Sequence, residues 1–411
     1  MAFIKNAEDV SWFLKRLISK LDGRFLTPGL GAFAGQAVLI VALPIIARIY
    51  APEALSQLAI YLAIAIPLSI VLTGRLEHAL PRVAGDQKFG LFCRCVIVPV
   101  VIVFLAIIGL LAKVGFNEVF VIAFVGGSSA IFSVTSMFPI TEKNFGTLAW
   151  LKFVNPGQTA GLQLAFGYLS PTVESLAIAY GIGSLGASAL CIPAIRRCYL
   201  ERGSTWVFDR ETTVFAFISK VGTSALLSNC ALSITSLLIG WMFPPVYLAS
   251  YFLVRRLLIF PTQVVANSVR DVSYGITAQE QPEEIRKLAK PWLWKLRLSS
   301  VAVFALALLL IPVREYIFGD QYIMLAELLL LLGIVAGTQL LGTSMSSLLL
   351  ALKAEHIRLR WNIERVIVLA LLSIWAIATG PQFPFLIVIL TGVQSLLYLR
   401  LYLLTLRLIR N

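Results

Sequence analysis

The chain has 411 residues, 59% hydrophobic and 13% charged, with 34 Lys and Arg against 21 Asp and Glu. A soluble domain carries about 25% charged residues, so this composition excludes one, and the apolar residues run in blocks of the ~20 residues that cross a bilayer. The net charge of +13 does not indicate nucleic acid, because the charges follow membrane sidedness.

The first 27 residues lack an apolar h-region and a small-residue cleavage site, so no cleavable signal peptide is expected. Within VSWFLKRLISKL, Trp12, Phe13, Leu17 and Leu21 share a face opposite Lys15, Arg16 and Lys20. That pattern predicts a basic amphipathic helix on an anionic cytoplasmic leaflet. Spans are predicted near 28–48, 55–76, 90–112, 118–139, 147–169, 174–195, 222–243, 246–269, 297–313, 322–350, 362–380 and 383–405. With the N-terminus inside, most Lys and Arg fall in cytoplasmic segments or helix ends, and only Arg48, Lys113 and Arg314 on the outer side. This is the positive-inside pattern; it predicts an even number of spans with both termini cytoplasmic.

The longest polar connection, near 196–221, divides the chain into a segment 1–27, an N-lobe over 28–200, and a linker with C-lobe over 201–411. The halves echo one another. YAPEALSQLAIYLAIAIPLS follows the first span and FPPVYLASYFLVRRLLIFPTQ the seventh, with prolines at Pro52 and Pro245, then Pro67 and Pro261. Parallel six-helix repeats of this kind typify secondary transporters, with the working cavity between the halves.

Soluble-enzyme motifs are missing: there is no Walker loop, GxSxG, HExxH or metal-loop spacing. Five cysteines and two histidines offer neither metal spacing nor a nucleophile–His pair. No catalytic residue, metal or cofactor is therefore expected. Arg255 and Arg256 are the most informative residues, because the eighth span buries them roughly 14 Å deep. An intramembrane arginine costs about 2.5–3.5 kcal/mol on insertion scales, so the pair needs water, an anion or a carboxylate partner. Both are candidates to bind a phosphate. Arg48, Arg75 and Glu77 are candidate gate or cavity charges, although plain snorkelling at the membrane faces explains the arginines better. Glu327 is a candidate coupling carboxylate, with salt-bridge pairing as the alternative. Gln36, Asn155, Gln163, Asn229, Gln263, Asn267 and Gln339 are candidates to line a polar cavity, with helix–helix hydrogen bonding as the alternative for each.

The stretch LPIIARIYAPEALSQLAIYLAIAIPLSIVLTGRLEHALP resembles the first two helices of polysaccharide flippases. The matching residues are Arg48–Ile49–Tyr50–Ala51–Pro52–Glu53 and Arg75–Leu76–Glu77–His78–Ala79. FPTQVVANSVRDVSYG and LLLALKAEHIRLRWNIERV are similar to later parts of that family. The resemblance implies a member of the multidrug/oligosaccharidyl-lipid/polysaccharide exporter superfamily: an all-α polytopic protein of about twelve helices, in two six-helix lobes forming a V-shaped alternating-access transporter. It further implies a flippase in the bacterial inner membrane that carries a polyprenyl-diphosphate-linked oligosaccharide for O-antigen, capsule or exopolysaccharide synthesis. H+ or Na+ and polysaccharide polymerase or assembly proteins would be its partners. An ion-coupled exporter of amphipathic molecules and a non-transporting scaffold are the alternatives. A membrane polymerase or ligase fits poorly, because the outer connections (FPPV, GPQFP) are short.

Overall fold

The computed structural model describes residues 23–82, 88–112, 117–142, 144–202, 218–277, 282–351 and 354–410. Of the amphipathic segment predicted over 1–27, residues 1–22 lie outside them and 23–27 open the first helix, and most of the predicted linker also lies outside. Twelve long helices are described: α1 Gly23–Ile49, α2 Pro52–Thr73, α3 Lys88–Leu111, α4 Asn117–Thr141, α5 Phe145–Leu169, α6 Val173–Ala189, α7 Thr223–Met242, α8 Pro245–Thr277, α9 Pro282–Leu310, α10 Leu325–Ala351, α11 Glu355–Thr379 and α12 Phe383–Arg410. Each predicted span falls on one of them. Their ends follow local chemistry. Pro52 opens α2, where a missing N–H costs nothing, and Gly74 closes it at φ 57°, its N–H bonded to the Ile70 carbonyl. The Asn144 side chain accepts from the Thr147 amide at 3.1 Å, and Thr172 from the Ser175 amide at 3.3 Å, capping α5 and α6.

Among the described residues, eight helices are long and apolar enough to cross a membrane by length and composition. The others depart for identifiable reasons. α5 carries Lys152, Asn155, Gln158 and Gln163, α6 has only 17 residues, and α8 holds Arg255 and Arg256. In α9 the apolar portion is Leu296–Leu310.

The pairings reveal an internal repeat. In the first half α1 packs on α5, α2 and α3 on α4, and α6 on α4 and α5. In the second half α7 packs on α11, α8 and α9 on α10, and α12 on α10 and α11. Adding six to every helix number turns the first set into the second. The halves meet chiefly through α1 on α8, α2 on α7 and α2 on α8, a set that the same operation returns to itself.

Along the first half's own pairings, α1 lies tightly on α5. A Cβ on Gly31 would strike the Ala149 backbone, and one on Gly35 the backbone of Lys152 and Phe153. The largest core joins both halves at the face where α1 ends and α2 begins, called here the far face. It contains Leu43, Ile46, Tyr50 and Leu55 with Leu248, Phe252, Phe318 and Leu325. Toward the opposite, basic face the cores separate, one around Leu80, Phe92 and Phe138 and another around Leu349, Trp361 and Tyr398. The two lobes thus form a V, joined at the far face and open toward the basic face.

Candidate functional site

A cavity of about 360 Å³ occupies the N-lobe side of the V, within the usual range for small-ligand sites. Helix α5 forms one wall, from Lys152 through Asn155 and Thr159 to Gln163, a run of about 16 Å. The polar residues that set α5 apart from the fully apolar spans are largely the ones facing this cavity. Gln36 of α1, Ser133 and Ser136 of α4, Tyr180 of α6 and Gln263 of α8 add further polar lining.

Arg256 sits at the inner end. It is 4% exposed, and its Nη2 donates to Gln163 Oε1 at 2.6 Å across the seam between the lobes. The guanidinium lies 5.9 Å from the Phe252 ring, and its Nη1 is buried without a partner. No carboxylate lines this cavity among the described residues. Its other cations, Arg75 and Lys152, stand with His78 nearer the basic face.

At that end the chain turns sharply. Gly74 at φ 57° and Arg75 at φ 60° are successive left-handed residues, a conformation that costs a non-glycine residue about 1–2 kcal/mol. Arg75 is held by its side chain: Nη1 lies 3.4 Å from Glu77 Oε1, 3.3 Å from His78 Nε2 and 3.4 Å from the Ser133 hydroxyl. Ser133 in turn donates to Glu77 Oε1 at 2.9 Å. Glu77 is completely buried in the short 3-10 turn Leu76–Arg82. Burial pushes its carboxyl up. Arg75, His78, its own backbone amide and Ser133 outweigh that and hold it below the ordinary carboxylate range.

Adjacent helical residues point about 100° apart, and the two mid-span arginines part accordingly. Arg256 faces the cavity, while Arg255 turns into the C-lobe, where its Nη1 donates to the Ser236 hydroxyl of α7 at 2.9 Å. Arg48 is exposed at the far face and donates to the Tyr316 carbonyl of the other lobe at 2.6 Å. Beside it the Ala47 carbonyl accepts from Tyr322 and Gln321 at 2.8 and 2.6 Å. Glu327 is not a turn and a half inside its span. The helix starts at Leu325, which leaves Glu327 exposed in the first turn, where the helix dipole favours an acid. It does not line the cavity.

Gln36, Asn155, Gln163 and Gln263 are brought together in the cavity. Asn229 instead bonds its own helix at the Ala225 carbonyl, and Gln339 is buried in the C-lobe. The side chain of Asn267 lies outside the described residues. Sequence reasoning missed Lys152 and His78 as lining groups, and above all Arg365. A span starting at 362 leaves Arg365 at a helix end; α11 starts at Glu355, so Arg365 lies about 15 Å in, 1% exposed.

A family model described as polysaccharide biosynthesis protein matches residues 116–327, just over half of the chain. Among solved structures, a MATE crystal structure in complex with MaL6 is 16% identical with a TM-score of 0.66, over 94% of this chain and 96% of that one. The outward-facing conformation of a multidrug resistance MATE family transporter of the MOP superfamily is 16% identical, TM-score 0.62, over 94% and 95%. A Vibrio cholerae MATE transporter is 15% identical, TM-score 0.63, over 94% and 96%. At these identities the likeness shows the fold. No curated protein matches the chain.

Proposed function

The chain belongs to the polysaccharide biosynthesis protein family, and from that premise we propose that it is a flippase. It moves an oligosaccharide on a polyprenyl diphosphate from the cytoplasmic to the outer leaflet of the bacterial inner membrane, with both termini cytoplasmic, for surface polysaccharide assembly. The observation that carries this reading is a membrane-embedded cavity lined by Arg75, Lys152 and Arg256 and by no carboxylate among the described residues. Such a cavity attracts an anionic head, and the unpartnered Nη1 of Arg256 supplies a donor for a phosphate oxygen.

The head enters from the basic, cytoplasmic face while the prenyl tail stays in lipid. Lys152, Arg75 and His78 receive the charge first, and the diphosphate then moves about 16 Å inward to Arg256. Arg256 belongs to the second lobe and Gln163 to the first. Parting the lobes therefore breaks their bond, and a phosphate held by Arg256 can replace the Gln163 oxygen as acceptor. Closing the cytoplasmic side and releasing the far-face bonds of Arg48 and Ala47 would then expose the head outward. Glu327 is exposed, so the placement gives no support to it as the coupling carboxylate for H+ or Na+. An exporter of amphipathic cations would need acidic groups in this cavity, which its lining does not supply. No chemical step is required of any residue.

A deletion strain tests the reading. Loss of surface polysaccharide, with the polyprenyl-linked repeat accumulating on the cytoplasmic side, is expected. Unchanged display and lipid pools in a strain without a redundant flippase would overturn it.

A further inference from the structure

The C-lobe contains a second concentration of buried positive charge that the cavity does not use. Arg365 lies against a pair of rings, 4.7 Å from the centroid of Tyr398 and 5.4 Å from that of Trp361, which are themselves 5.5 Å apart. Trp361 is fixed by donating its indole N–H to the Leu397 carbonyl at 2.8 Å. The ring faces stabilise a cation but accept none of its in-plane hydrogens. Nε and Nη2 of Arg365 are buried without acceptors, and the Tyr398 hydroxyl stands beside the same guanidinium. Arg255 is the nearby second cation: both arginines act electrostatically on Tyr251 and Tyr398. Among the described residues, neither arginine has an ion-pair partner.

Donors without acceptors, around two like charges, make a set that an anion completes. A merely structural arginine would be expected beside a carboxylate or a backbone carbonyl. We propose that Arg365, with Arg255 and the Tyr398 hydroxyl, forms a second oxyanion site in the C-lobe. The guanidinium edge presents two parallel N–H groups, the geometry that suits a carboxylate or a phosphate. The ligand is either a carboxylate carried on the transported sugar, which makes the substrate an acidic glycan, or free phosphate. Because Arg255 and Arg256 are consecutive, α8 ties this site directly to the one in the N-lobe cavity. Only the identification with a sugar carboxylate rests on the flippase reading; the oxyanion site does not.

The test uses the full-length purified chain in lipid nanodiscs, with sodium glucuronate, sodium phosphate, glucose and sodium chloride as probes. Binding is read by thermal shift and by tryptophan emission. Trp361 stacks beside Arg365, so Trp361→Phe should remove the emission change while the thermal shift persists. Arg365→Met is expected to weaken oxyanion binding at least 10-fold, and Arg314→Gln, which changes a cation paired with Glu315 at the far face, to leave it within 2-fold. Arg365→Lys, which keeps the charge but not the two-donor edge, should fall between and covers the case in which the methionine variant misfolds. Preference for glucuronate over phosphate assigns the site to the sugar, and the reverse assigns it to free phosphate. Oxyanions binding no better than chloride, or binding unaltered by both Arg365 variants, would overturn the proposal. Because the assay involves no translocation, its failure is distinguishable from failure of the flippase reading.

Discussion

Replacing Arg256 by methionine separates a functional cation from a structural one. The guanidinium is 4% exposed, has one hydrogen bond and one orphan nitrogen, and faces no carboxylate. Keeping it within the membrane costs about 2.5–3.5 kcal/mol. Its charge-assisted bond to Gln163 returns about 1.5–3 kcal/mol. The two nearly cancel, so Arg256→Met should change stability by between zero and about +2 kcal/mol. Gln163→Leu does the opposite: it leaves the cation buried without its acceptor and should destabilise by about 2–4 kcal/mol. The double variant should recover most of that loss, giving a positive coupling in the cycle. Thermal or denaturant unfolding of the four proteins in one detergent supplies the comparison. Translocation of a fluorescent polyprenyl-diphosphate saccharide in proteoliposomes should fall at least 10-fold in Arg256→Met, equivalent to about 1.4 kcal/mol. Two results would refute the reasoning: a methionine variant destabilised by more than about 2 kcal/mol, or one that translocates normally.

Other predictions follow from the same geometry. The folded Glu77 carboxyl titrates below its unfolded value of about 4.3, so its contribution is fully present above that pH and is lost as pH falls through the lower folded value. Melting temperature measured from about pH 5 down to about pH 2 should decline less steeply in Glu77→Gln than in the parent, from a lower start. Gly31→Ala should destabilise by about 1–3 kcal/mol through overpacking between α1 and α5; an unfolding midpoint equal to the parent's would contradict that packing. Arg48→Ala should cost less than about 1 kcal/mol, since the residue is exposed, yet raise thiol-reagent labelling of a cysteine introduced at Tyr50. Glu327→Gln should leave translocation unchanged across pH, and a shifted pH profile would restore Glu327 as a coupling group.

The membrane class and the number of helices were legible because backbone hydrogen bonding in lipid leaves few choices, and long apolar runs therefore report helices directly. Lobe pairing was legible only as an echo of prolines at Pro52 and Pro245, since apolar sequences carry little register information. The depth of Arg255 and Arg256 could be read from the position of Pro245. Which of them faces the cavity depends on the rotation of α8 against α5 and α7, and no local pattern encodes that. Arg365 and Glu327 were misplaced for one reason. Helix ends are set by turn and cap geometry rather than by hydropathy, so a shift of a few residues moves a charge between membrane interior and surface. α11 begins seven residues before the predicted span, within a stretch whose Arg358 and Arg360 read as a connection.

The seam between the lobes maps onto itself when the halves are exchanged: α1 meets α8 as α7 meets α2, and α2 meets α8. Surfaces related in this way are self-complementary, as in a twofold homodimer. Each half therefore presents to the other the kind of surface that a six-helix subunit would present to its own copy. The same logic applies to the present molecule. Its two halves, translated as separate polypeptides broken between α6 and α7, carry complete docking faces and should reassemble in the membrane without a covalent joint. The two halves are not identical in sequence, and an arginine contributed by one of them is the innermost cation of a chamber built mostly by the other.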